Sequence, residues 1–302
     1  MAEPARPNDP PSPSSRASSG ATTPPDVLAL RDLAERAARA AADLVRGGRP
    51  DTVEVAATKS SAVDVVTQMD LAAERALRTL LARERPDDGV LGEEGGLEPG
   101  TSGVTWVLDP IDGTVNYLYG IPAYAVSVAA VAGPPEPGAW TLLAGCVHAV
   151  ADGRTWTAAR GHGAHLDGAA LRVEDARPLS ESLCGTGFGY LEARRRDQAR
   201  VLLEVLPRVR DIRRIGSAAM DLCMVASGQL DLYYERGLNP WDLAAAQLVV
   251  QEAGGLVTGL RGRPAATAMT VAGPAGTVPE LVALLEQLGA DADGPPAPGS
   301  LD

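Results

Sequence analysis

The sequence predicts a layered fold of mixed class, an α+β unit followed by a smaller α/β unit. Three observations predict it. An amphipathic helical stretch and a second helix open the folded part, and a series of short apolar strands with Asp-Gly turns follows. Strand and helix signals then alternate up to Gly255. The first part reads as two helices on an antiparallel sheet.

The elements follow in order. Residues 1–25, MAEPARPNDPPSPSSRASSGATTPP, are rich in Pro, Ser and Ala and read as a disordered tail. Val27, Leu30, Leu33, Ala34, Ala37, Ala41 and Leu44 share one helical face; Thr23 with two prolines opens this helix and Gly47-Gly48 closes it. A second helix runs from Thr67 to Glu84, with Thr67 and Asp70 spaced as a capping box. Val104 to Leu108 reads as a strand. AYAVSVAAVAG from Ala123 is another, and LLAGCVHAV from Leu142 pairs with it. Asp152-Gly153 and Asp167-Gly168 are hairpin turns around RTWTAAR and two shorter strands. A boundary near Arg177-Pro178 separates residues 26–177 from residues 178–290. Beyond it, SLCGTGFG is a strand, Leu191 to Leu206 a charged helix, and DIRRIG, SAAMDLCMVASG, QLDLYYE and NPWDLAAAQLVVQEAGG read strand, helix, strand, helix. Residues 291–302 form a second flexible tail.

Composition narrows the function. The 302 residues suffice for one large or two medium domains, and 39 acidic against 27 basic side chains give a net charge of −12. Direct nucleic-acid binding is disfavoured, because phosphate backbones need basic faces. A small anionic ligand is not, because bound cations can invert a local field. Cys146, Cys184 and Cys223 are odd in number and have apolar neighbours, so they read as buried thiols in a reducing, cytoplasmic compartment. No apolar run of membrane-spanning length and no signal-peptide core is visible, so no membrane partner is expected.

The chemistry lies in the acids. In WVLDPIDGTVNY, residues 106–117, an apolar strand ends at Asp109-Pro110, and Asp112 stands across a tight turn. Gly113-Thr114 can then start a helix whose free N–H groups favour an anion. Carboxylates beside an anion site make sense together only with cations between them. Carboxylate and carbonyl oxygens are hard ligands suited to Mg²⁺, so the segment suggests a metal-bridged phosphate site. Glu93 in LGEEGG, Asp70 at the second helix and Asp242 in NPWDLAAA also lie at element ends. Taken singly, Asp70 and Asp242 read as helix caps and LGEEGG as a solvated loop; the set points to one cleft.

LGEEGG, WVLDPIDGTVNY and NPWDLAAAQLVVQEAGG, in that order, resemble the signatures of the inositol monophosphatase family of metal-dependent phosphatases. TKSSAVDVVTQMD at 58–70 and GSAAMDLCMVASGQLDLYYE at 216–235 are similar to two further family segments. The resemblance spans Lys59 to Gly255 and implies an α-β-α-β-α sandwich, a homodimer, inhibition by lithium and two to three Mg²⁺ ions. It also implies roles. Glu93, Asp109 and the Ile111 carbonyl would hold the first ion, and Asp109, Asp112 and Asp242 the second. Glu93 and Asp70 would help to hold a third ion and the attacking water, and Thr114, backed by Asp70, would activate that water. The N–H groups of Gly113 and Thr114 would cradle the phosphate, with Asp112 and Asp242 beside it; Gly216, Ser217, Ala218 and Glu235 would line the cyclitol side. The implied substrate is inositol 1-phosphate, a small phosphate monoester. Histidinol phosphate and other sugar or nucleotide phosphates share the same metal cradle, and a partner-binding regulatory role on the same fold is the rival of a different class.

Three further signals are set aside. His162 and His165 are too few for a zinc site. GTGFG at 185–189 lacks the dinucleotide fingerprint and reads as close backbone packing. RRRDQAR at 194–200 reads as a solvated helix face.

Overall fold

The computed structural model of the chain describes residue 1 and residues 25–50, 53–59 and 65–292. Helix α1 (Val27–Gly47) is followed by a hairpin, β1 (Val55–Thr58) and β2 (Val65–Thr67), and by α2 (Gln68–Glu84). Eight strands form the large sheet: β3 (Gly89–Gly92), β4 (Gly96–Glu98), β5 (Val104–Asp112), β6 (Ala125–Ala132), β7 (Thr141–Ala149), β8 (Thr155–Ala159), β9 (Ala164–Leu166) and β10 (Ala169–Ala170). Their order is β10-β9-β8-β7-β6-β5-β3-β4, antiparallel except for the parallel pair β3 and β5. Helix α3 (Thr114–Tyr119) follows β5.

A five-stranded sheet is built from β11 (Leu183–Thr186), β12 (Asp211–Arg213), β13 (Leu232–Glu235), β14 (Leu256–Thr258) and β15 (Thr270–Gly273), in the order β12-β11-β13-β15-β14. Between these strands run α4 (Glu192–Val205), α5 (Ala218–Ala226) and α6 (Pro240–Glu252), and α7 (Val278–Gln287) closes the fold.

Strand alternation explains the layers. Trp106 and Leu108 of β5 point to one face and pack with Leu33 of α1 and Leu77 of α2. Val107, between them, points to the other face and joins Leu222 of α5, Ala245 and Val249 of α6, and Tyr233 of β13. On the far side of the second sheet, Leu232 and Val271 pack with Val205 of α4 and Leu281 of α7. The result is the α-β-α-β-α sandwich. Cys146, Cys184 and Cys223 are buried free thiols within it, and among the described residues no helix is long and apolar enough to cross a membrane.

Several expectations shift. Strand β5 does not stop at Asp109 but runs on to Asp112 through Pro110. Its pairing with β6 jumps from Asp109↔Ser127 to Asp112↔Ala125, a bulge that leaves Pro110, with no N–H to give, outside the ladder. Leu44 is exposed at 38%, while Ala38, Ala42 and Val45 are buried. The C-terminal half of α1 thus turns a face of small residues to the sheet. Asp26 caps α1; Thr23 lies outside the described residues, as do 2–24 and 293–302 of the two tails. Thr67 and Asp70 do form a capping box.

Candidate active site and metal centre

The acids meet because several elements end at the same place. Parallel pairing sets Gly92 of β3 level with Leu108 of β5, and Glu93 N–H donates to the Leu108 carbonyl at 3.3 Å. Glu93, just past the end of β3, and Asp109, still within β5, therefore stand side by side. Asp109 Oδ1 accepts from Ile111 N–H at 3.0 Å, a local bond across the bulge of β5. Asp112 Oδ2 accepts from Ser217 Oγ at 2.6 Å and from Ala219 N–H at 2.7 Å, so the first turn of α5 is tied to the end of β5. Asp242 Oδ2 accepts from Asn239 N–H at 2.7 Å, within a capping box that starts α6.

Asp109, Asp112 and Asp242 each offer an oxygen, all within 4.8 Å of one another. They border a cleft of about 340 Å³, as do Glu93, Gly113, Thr114, Gly216, Ser217, Ala218 and Glu235. Asp70 and Ile111 lie behind it, at 0% and 1% exposure. Asp70 serves two partners: one oxygen holds the α2 cap through Thr67 N–H at 2.9 Å, the other accepts from Thr114 Oγ at 3.0 Å. The cap reading and the site reading of Asp70 are thus compatible. Gly113 caps α3 at φ 101°, in the left-handed region where a side chain is strained.

The electrostatics are those of acids short of counter-charge. Burial pushes Asp109 well above the carboxylate range, and the charges of Glu93, Asp112 and Asp242 add to it. Asp242 rises for the same reasons, burial first and then Asp112 and Glu93. Burial raises Asp112 despite its hydrogen bonds from Ser217 and Ala219, and Asp70 despite Thr67 and Thr114. Glu93 is pushed up to about 7, burial outweighing Lys59. Lys59 Nζ lies 2.7 Å from both Glu93 Oε1 and Glu94 Oε1. Buried like charges of this kind favour protonation or a bound cation. Hard carboxylate oxygens converging on one point fit a divalent ion of the Mg²⁺ type.

Other residues of the site were not singled out in the sequence. Glu74, one turn beyond Asp70 on α2, is 2% exposed. It accepts from Glu94 N–H, Gly95 N–H and Arg78 Nε, each at 2.8 Å, and so holds the turn that presents Glu93. A Cβ at Gly92 would come within 2.3 Å of the Glu74 carboxylate. Spacing four residues from Asp70 was the available signal. Gly187, Phe188 and Gly189 of GTGFG border the cleft, and so does Arg194, unlike the exposed Arg195 and Arg196 beside it. The run at 194–200 is therefore not wholly a solvated face. His162 and His165 sit on the β8–β9 hairpin and do not border the cleft.

Comparison with known proteins agrees with this geometry. The family model described as the inositol monophosphatase family matches residues 26–290. An inositol-1-monophosphatase of Mycobacterium bovis is 46% identical over 278 residues, covering 85% of this chain and 93% of the relative. A protein of Pasteurella multocida named Nus factor SuhB is 38% identical over 236 residues, covering 77% and 86%. The solved structure of Mycobacterium tuberculosis SuhB superposes with a TM-score of 0.74 at 45% identity, covering 88% of this chain and 99% of that one. This chain belongs to the inositol monophosphatase family and is a phosphatase of that superfamily.

Proposed function

We propose that the protein hydrolyses inositol 1-phosphate to inositol and phosphate with Mg²⁺. The observation that carries this reading is the convergence of Asp109, Asp112 and Asp242 at a cleft that Glu93 and Thr114 also border. Glu93, Asp109 and the Ile111 carbonyl would hold one ion, Asp109, Asp112 and Asp242 another, and Glu93 with Asp70 a weaker third. When bound, the ions neutralise phosphate charge, lower the pKa of the attacking water and stabilise the leaving oxygen.

The chain's own groups do the rest. Thr114 Oγ, held by Asp70, accepts the proton of the attacking water as its own proton passes to Asp70. The raised pKa of Asp70 makes it a better acceptor than an ordinary aspartate. Gly113 and Thr114 N–H groups donate to the phosphate. Gly216, Ala218 and Glu235 border the cyclitol; Ser217 stands with them, although its hydroxyl is already given to Asp112. The reading includes a cytoplasmic homodimer inhibited by lithium.

Phosphate release from inositol 1-phosphate and histidinol phosphate, measured side by side with Mg²⁺, tests it. Preference for inositol 1-phosphate, lost in Asp112→Asn, is expected. Preference for histidinol phosphate would reassign the substrate and keep the site. The relatives named Nus factor SuhB favour a second reading, an added partner-binding role. A pulldown of the full chain against one lacking residues 1–25 checks whether the N-terminal segment carries it; capture by both or by neither removes the tail from that reading.

A further inference from the structure

Asp221 occupies the first turn of α5, the turn tied to Asp112 through Ser217 and Ala219, and borders the cleft as Glu235 does. Its side chain is 1% exposed, and its Oδ1 is buried with no hydrogen-bond partner. Such an oxygen is destabilising unless something supplies a donor. Glu235, its neighbour, does have one: Tyr233 OH donates at 2.5 Å.

The chain makes room for both carboxyls. A Cβ at Gly187 would stand 2.0 Å from Glu235 Oε2, and one at Gly185 would stand 3.1 Å from Asp221 Oδ1. The Glu235 carboxyl thus accounts for Gly187 of GTGFG, while Gly185 is crowded by Leu230 Cδ1 at 2.9 Å and Tyr233 Cδ2 at 3.1 Å as well as by Asp221.

We propose that Asp221 is a further specificity-determining residue of this cleft, pairing with Glu235 to take neighbouring hydroxyls of a polyol leaving group. The proposal rests on the cyclitol-phosphate reading above. The chemistry of the pair selects the ligand class. Two carboxyls lining one cleft match O–H groups, each of which needs an acceptor. Burial, then the charge of Glu235, holds Asp221 well above the carboxylate range, against Arg214. A carboxyl of that kind both accepts from and donates to a neutral hydroxyl.

The test compares Mg²⁺-loaded parent, Asp221→Ala and Asp221→Asn on inositol 1-phosphate and on p-nitrophenyl phosphate, whose leaving group carries no ring hydroxyls. In Asp221→Ala, kcat/KM for inositol 1-phosphate is expected to fall by about 10-fold or more beyond any fall on the aryl ester, chiefly through KM. Asp221→Asn, which keeps an acceptor, recovers part of that loss, and Tm stays at or above the parent's. Parallel losses on both substrates with a lower Tm would make Asp221 a structural residue and overturn the proposal. A preference for inositol 1-phosphate that survives Asp221→Ala would overturn it and leave the substrate reading standing. A parent protein without that preference would overturn the substrate reading and this proposal with it.

Discussion

The two groups of acids at the cleft are secured differently. On the metal side Asp109 accepts from Ile111 N–H, Asp112 from Ser217 and Ala219, Asp242 from Asn239 N–H, and Asp70 from Thr67 and Thr114. In the second group Asp221 has an oxygen with no donor, and Tyr233 OH donates to Glu235. Asp109, Asp112 and Asp221 are buried and Asp242 and Glu235 half-buried, and all carry raised pKa values. The difference teaches what each is for. Carboxylates fixed by backbone donors present their remaining oxygens in a set geometry, as a small, rigidly coordinated cation requires. A carboxyl with an open valence suits a ligand that arrives and leaves.

The largest expected effect comes from breaking the tethered side. Asp112→Asn should lower kcat by roughly 10²–10³-fold in a phosphate-release assay. Ser217→Ala should cost far less, because Ala219 N–H still holds Oδ2. Equal losses would mean that the tether, not the charge, carries the activity. A smaller effect sharpens the comparison from behind. Glu74→Gln weakens the hold on the Glu93 turn and should raise the Mg²⁺ concentration for half-maximal activity about 10-fold. An unchanged Mg²⁺ activation curve would separate Glu74 from the metal side.

The smallest effect is thermodynamic. Glu93 and Glu235 both move from 4.5 to about 7 in the folded chain. The native state then binds more protons than the unfolded chain between those values, so stability present at low pH is lost as pH rises from about 4.5 through 7. Mg²⁺ should offset the share of Glu93 and leave that of Glu235. At about 100-fold excess over its Kd the linkage contributes ~2.7 kcal/mol, a rise in Tm of roughly 5–10 °C at pH 7.5 and much less at pH 5. A Tm indifferent to Mg²⁺ at pH 7.5 would remove the distinction between the two groups.

How much could be read in advance follows the same division. Asp70, Glu93, Asp112 and Asp242 sit at element ends and Asp109 at the bulge of β5, and such places carry local signals: a cap, a proline, a Gly-Gly. The strands β6 and β7, the hairpins at Asp152-Gly153 and Asp167-Gly168, and the Thr67–Asp70 box are legible for that reason. Asp221 carries no such mark. In the sequence it is one acid in the first turn of a helix, where acids are common; only packing against β11 and β13 deprives it of donors. Arg194 likewise differs from Arg195 and Arg196 only through what α4 faces. The strands β14 and β15 are too short to show a clear alternation, whereas α7 does carry a helical period in Val278, Leu281, Leu284 and Leu285.

The parallel pairing of β3 with β5 has a consequence for how the enzyme can fail. Sliding one strand by a single residue would shift Glu93 by about 3.3 Å relative to Asp109 and reverse which face each side chain takes. Core contacts that fix this alignment, such as those of Val90 beside Trp106, therefore set the spacing of the ligand oxygens without touching a ligand. Substitutions there can silence the enzyme while every residue at the cleft stays unaltered.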